Sequence, residues 1–208
     1  MRRAAGAAVL AVCGAGTALA HDGHDHAPLP APPVVEAHAP PADLPFRLGG
    51  AFALTDQTGA TRTEADPQGR LQLVFFGYAN CPSICSVALP MMAQAVDLLA
   101  ARGIAIVPVL ITVDPARDTP DAMVGPLREI HPAFVGLTGD AAALAEVQKL
   151  FQVESKVVFT DPQYGPIFAH GSHIYLLDAT GKVLTLFPPV LTPERTAEIV
   201  AGYAQAGG

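Results

Sequence analysis

The sequence predicts an α/β domain, a sheet covered by helices on both faces. Two observations carry that expectation. Apolar runs of strand length alternate with segments of helical period. The chain then ends on a hairpin signal followed by a helix.

Taken in order, Gly50 to Thr55 reads as a short strand and Asp56 to Gly59 as a turn. Leu71 to Phe76 is a buried strand. Ser86 to Arg102 has helical spacing, with Val87, Met91, Ala95 and Leu98 on one face, and Gly103 stops it. Ile104 to Val113 is a continuous apolar strand. Asp114 to Thr119 is a loop, and Pro120 suits the start of a helix over Asp121 to Ile130. Asp140 is placed to cap a helix from Ala141 to Phe151. Val153 to Phe159 is a strand or an extended arm. Ile174 to Leu177 and Val183 to Phe187 flank the turn Asp178-Ala179-Thr180-Gly181. Thr192 caps a last helix, Pro193 to Ala204, with proline in its first turn.

Length and composition set the frame. A chain of 208 residues with a 50% hydrophobic fraction is ample for one domain core. Residues Met1 to Ala20 read as a secretory signal, with Arg2-Arg3, an apolar stretch from Ala4 to Val12 and an Ala18-Leu19-Ala20 cleavage site. An uncleaved membrane anchor is the alternative, although the run from Ala4 to Ala20 is short for a spanning helix. Losing Arg2 and Arg3 takes the net charge from −7 to −9. An acidic chain without a basic stripe is a poor binder of nucleic acid. Residues 21–45, His-rich at first and then rich in proline and alanine, read as a linker, and the folded domain is expected over 46–208.

Cleavage would also remove Cys13, leaving Cys81 and Cys85 as one close pair. The pair follows a strand and a glycine turn and precedes a helical pattern. The partial positive charge of a helix start stabilises thiolate. On a helical turn, positions i and i+4 share a face, so both sulfurs could converge on one soft ion. The same pair could exchange electrons with another dithiol. A structural disulfide is the plain alternative, but so small a loop makes a weak staple.

A third ligand is sought in Ala169-His170-Gly171-Ser172-His173. His170 is read in a turn before the strand, and His173 as a lesser candidate inside the strand pattern. Imidazole suits copper and zinc, and thiolates select copper(I) or zinc. A Cys2His set fits trigonal copper, whereas structural zinc takes a fourth ligand. A histidine at a strand start is otherwise an ordinary surface residue. Met91 and Met92 are assigned to core packing and His131 to a helix C-terminus. Arg117 is expected to pair with Asp118 at the rim. His21, His24 and His26 form a weaker candidate metal tract that could collect copper(II).

Several motifs stand in a telling order. Phe76-Gly77-Tyr78 precedes Cys81-Pro82-Ser83-Ile84-Cys85. Thr112-Val113-Asp114-Pro115-Ala116-Arg117-Asp118-Thr119-Pro120 follows, then Gly136-Leu137-Thr138-Gly139. His170 comes last, five residues before Tyr175-Leu176-Leu177-Asp178. Together they resemble the Sco/SenC family across roughly Phe46 to Tyr203. The resemblance implies a thioredoxin-like fold with a central mixed β-sheet flanked by helices. It implies a copper site, Cu(I) or Cu(II), made by Cys81, Cys85 and His170. It further implies a periplasmic metallochaperone that helps assemble the CuA centre of cytochrome c oxidase. The partners would be the oxidase subunit carrying CuA and an upstream copper donor. The chain departs from the family pattern at Ser83, where an acidic residue is common, and at Ser86, where proline is common. Family members also commonly keep a membrane anchor. On this reading the protein carries metal and is not a turnover enzyme. A thiol-disulfide oxidoreductase acting on the copper-receiving protein is the alternative. A thiol peroxidase is disfavoured, because no activating Thr and Arg arrangement surrounds Cys81.

Overall fold

The computed structural model describes residues 44–79, 81 and 85–206. The signal segment, His21, His24 and His26, and most of the proline-rich stretch lie outside the described residues. Among the described residues the strands are β1 (Ala53–Asp56), β2 (Thr61–Thr63), β3 (Leu71–Gly77), β4 (Ile106–Thr112), β5 (Val135–Thr138), β6 (Ser155–Asp161), β7 (Gly165–His170), β8 (Ile174–Leu177) and β9 (Val183–Phe187). The helices are α1 (Cys85–Ala100), α2 (Pro120–Ile130), α3 (Ala141–Leu150) and α4 (Pro193–Ala206).

Seven strands form one sheet in the order β2-β1-β5-β4-β3-β8-β9. β3, β4 and β5 run parallel, while β1 and β8 join them antiparallel, which makes the sheet mixed. Alternation along β3 sends Leu73 and Phe75 to one face and Val74 and Phe76 to the other. On the first face they pack with Leu89 of α1, Met123 and Leu127 of α2 and Val200 of α4. On the second they pack with Leu144 and Val147 of α3. Each fully buried phenylalanine contributes about 1.5–3 kcal/mol. This is the thioredoxin-like fold.

The caps expected from sequence are in place. Thr119 accepts from the Ala122 amide, Asp140 from Ala143 and Thr192 from Arg195. Asp178 accepts from the Thr180 and Lys182 amides to close the β8–β9 turn. Met91 and Met92 are core residues, and His131 caps the end of α2.

Several elements differ from expectation. The first strand starts three residues later than expected and ends one residue later, as β1, and the three-residue β2 beside it was not anticipated. β5 was also missed, because four residues containing Gly136 give too little pattern. That glycine lets α2 lie close, since a Cβ there would sit 2.6 Å from Leu127 Cδ1. Val87 is 52% exposed, so the buried face of α1 is instead set by Ala88, Leu89, Met92, Ala95, Val96 and Leu99. β6 pairs with β7 as a separate two-stranded ribbon, and His170 ends β7 where a turn was expected. Its start, Gly165-Pro166, reads locally as a loop, but a ribbon edge tolerates proline.

Candidate metal centre

The site forms where β3 and β4 end. β3 finishes at Gly77, and the Cys81 amide donates back to the Tyr78 carbonyl at 3.2 Å. Cys85 is the first residue of α1. Cys81 is itself non-helical and stands ahead of the helix that Cys85 opens. Both are thiols; Cys81 is partly exposed and Cys85 is buried.

His170 arrives from the ribbon. Its Nε2 lies 3.8 Å from Cys85 Sγ. Its Nδ1 is 2.9 Å from the Gly171 carbonyl. A carbonyl only accepts, so that bond places the ring proton on Nδ1 and turns the Nε2 lone pair toward the sulfurs. The ring is held edge-on to Phe75 at 5.8 Å and to Tyr78 at 6.2 Å. Among the described residues, the donor atoms of Cys81, Cys85 and His170 all lie within 4.8 Å of one another. Three ligands about 2.2 Å from one ion in a trigonal plane would be about 3.8 Å apart. His173 is exposed and stands outside this group.

The electrostatics differ from the expectation of a helix-stabilised thiolate at Cys85. Hydrogen bonding with Cys81, then burial, then the charge of Cys81 push the Cys85 thiol strongly up. Two sulfurs this close resist double ionisation, and that outweighs the helix start. A cation between them removes the penalty.

The residues around the donors were largely missed from sequence. Asp118 does not pair with Arg117; it is buried and accepts from the Ala79 amide at 2.9 Å and the Thr112 hydroxyl at 2.7 Å. Burial raises its carboxyl, against the pull of those two hydrogen bonds. Arg117 pairs with Asp114. The guanidinium reaches an outer carboxylate because the inner one is already satisfied. Tyr78 is buried with no well-formed hydrogen bond at its hydroxyl, and burial, followed by its interaction with Cys81, pushes the phenol up to about 12. Gly77 leaves room for a sulfur, since a Cβ there would be 2.8 Å from Cys85 Sγ. One sequence signal could have pointed here: Thr112 is a polar residue ending an otherwise apolar strand.

Fold and site together define a thioredoxin-like protein bearing a soft Cys2His donor set at the ends of its central strands. The SCO1/SenC family model matches residues 41–205, and the chain belongs to that family. It is 38% identical over 157 residues to an SCO2-like protein of Rickettsia conorii, covering 74% of this chain and 76% of the relative. The structure of Bradyrhizobium japonicum ScoI with copper bound matches with a TM-score of 0.67 at 34% identity, covering 75% of this chain and 99% of that one. Arabidopsis thaliana ScoI with copper bound matches at 0.72 and 26%, covering 76% and 98%.

Proposed function

We propose that this protein is a copper metallochaperone that takes copper as cargo between Cys81, Cys85 and His170. The observation that carries the reading is the 3.8 Å approach of His170 Nε2 to Cys85 Sγ, in a group spanning no more than 4.8 Å. Thiolates give affinity for copper(I), and the imidazole keeps copper(II) accessible. Two similar proteins carry copper in their solved structures. The family resemblance extends the proposal to the periplasm, to delivery toward the CuA subunit of cytochrome c oxidase and to an upstream copper donor.

A second reading is favoured by the unequal exposure of the two thiols. Partly exposed Cys81 can attack a partner disulfide and buried Cys85 can resolve the mixed intermediate. The pair would give two electrons and two protons, forming Cys81–Cys85 while the partner gains two thiols. His170→Ala separates the readings. It should abolish copper retention by metal analysis after gel filtration and leave dithiol exchange intact. A variant that supports oxidase assembly as well as wild type would end the metallochaperone reading.

A further inference from the structure

The β6–β7 ribbon is not hydrogen-bonded into the main sheet, yet it supplies His170. Its strands are mostly exposed or half-buried. Where its base faces α3, a groove of about 770 Å³ opens beside His170, lined in part by Gln148, Gln152, Ser155 and Lys156. On that side the ribbon meets α3 across the groove, with the Ser155 hydroxyl donating to Gln148 Oε1 at 2.8 Å.

At the other end, Arg117 reaches two carbonyls of the ribbon. Arg117 Nε donates to the Asp114 carboxylate. Nη1 donates to the Tyr164 carbonyl, and Nη2 to the Pro166 carbonyl at 2.7 Å. The guanidinium also lies 5.5 Å from the centre of the Tyr78 ring, whose edge contacts Phe168 and His170. Gly165 makes room for this grip. It adopts φ +72°, and a Cβ there would sit 2.7 Å from Arg117 Nη1. Asp114 is buried and anchored through its amide to Thr112, whose hydroxyl donates to the same Asp118 that holds Ala79 ahead of Cys81. One loop thus touches both the cysteine turn and the histidine ribbon.

We propose that Arg117 is a positioning residue, a latch that fixes the ribbon so that His170 stays against the two sulfurs, and that its release is the opening step for copper exit. The role in copper exit rests on the metallochaperone reading; the mechanical role does not. A planar fork reaching two carbonyls and a carboxylate at once is a task for arginine that lysine cannot reproduce.

The test uses Arg117→Met, which keeps an apolar stem, and Arg117→Lys, which keeps the charge. Amide hydrogen exchange is read first on the copper-free protein. Arg117→Met should speed exchange across residues 155–170 by on the order of tenfold, the scale of one lost charge-assisted hydrogen bond. Exchange in β3 and β4 should stay at the wild-type rate. Arg117→Lys should fall between, and it decides the matter should the methionine variant fail to fold. Copper(I) release to an excess of chelator should quicken by the same order. Unchanged exchange in the ribbon would overturn the latch. Copper(I) release at the wild-type rate from a variant whose ribbon exchanges faster would overturn the role in copper exit. The exchange arm contains no copper, so it stands or falls apart from the metallochaperone reading.

Discussion

Gly77→Ala tests how tightly the sulfur of Cys85 is confined. Gly77 ends β3 with its hydrogen pointing at the site, and its backbone is not in the left-handed region, so alanine brings no conformational penalty. The added Cβ would stand 2.8 Å from Cys85 Sγ, 2.9 Å from Phe75 Cε1 and 3.3 Å from Leu110 Cδ1. Ordinary contacts begin at about 3.5–4.0 Å, so the sulfur must withdraw by about 0.9 Å or the strand must shift. Phe75 and Leu110 are fully buried and cannot swing aside. Overpacking of this kind costs about 1–3 kcal/mol. A donor displaced by more than about 0.5 Å leaves its productive geometry. Copper(I) affinity should therefore fall by about 10–100-fold. Urea unfolding of the copper-free protein gives the first quantity and chelator competition the second. Gly125→Ala is the control, because a methyl there meets nothing within 4 Å. Wild-type stability and wild-type affinity in Gly77→Ala would refute the steric argument.

Two further substitutions read the polar residues beneath the donors. Because the folded state raises the Asp118 carboxyl above its ordinary 3.8, its contribution to stability is complete below that pH and is lost as pH rises through the folded value. Asp118→Asn keeps one oxygen to accept from Ala79 and Thr112, so its stability relative to wild type should climb with pH above 3.8. Parallel urea midpoints across the pH series would contradict this. Tyr78→Phe removes a buried hydroxyl that lacks a well-formed hydrogen bond and should stabilise the copper-free protein by about 1 kcal/mol in thermal or urea unfolding. A loss of stability would mean that the hydroxyl is bonded after all.

Sequence patterns revealed those parts of the fold that obey a single local rule. β3 and β4 are largely apolar because both faces are covered, and α2, α3 and α4 each carry their own capping side chain. β2, β5 and β7 were not legible, because a strand of three to six residues holding Gly136 or Gly165-Pro166 draws its geometry from a partner strand. The same limit applied at the site. Cys81 and Cys85 announced themselves by spacing, whereas His170 lies 85 residues from Cys85 and needed the family motifs to select it. The assignment of Arg117 to Asp118 failed for a physical reason. Adjacency in sequence favoured the pair, but Asp118 faces inward to Thr112 and Ala79, which leaves Asp114 as the carboxylate within reach.

The division of labour among the donors bears on how cargo could be both held and released. Cys85 is fixed by α1 and by the core around Leu89 and Met92, and the turn before Cys81 is tied to β4 through Asp118. His170 instead sits on a ribbon outside the main sheet, steadied at the ring by Phe75 and Tyr78 and at the far end by Arg117. A soft ion bound by all three would keep two anchored thiolates while the third ligand alone could swing away. Moving a ribbon whose strands are half-buried or exposed, with Phe168 its apolar contact to the core, costs less than unpacking α1 from the sheet, because the helix would expose far more buried apolar surface. On the metallochaperone reading the histidine would be the gate and the cysteines the store. A receiving protein would need only to displace one imidazole before offering its own ligands to the exposed ion. Such an arrangement makes the exit rate sensitive to Arg117 and the total affinity sensitive to Gly77, two residues that never touch the cargo.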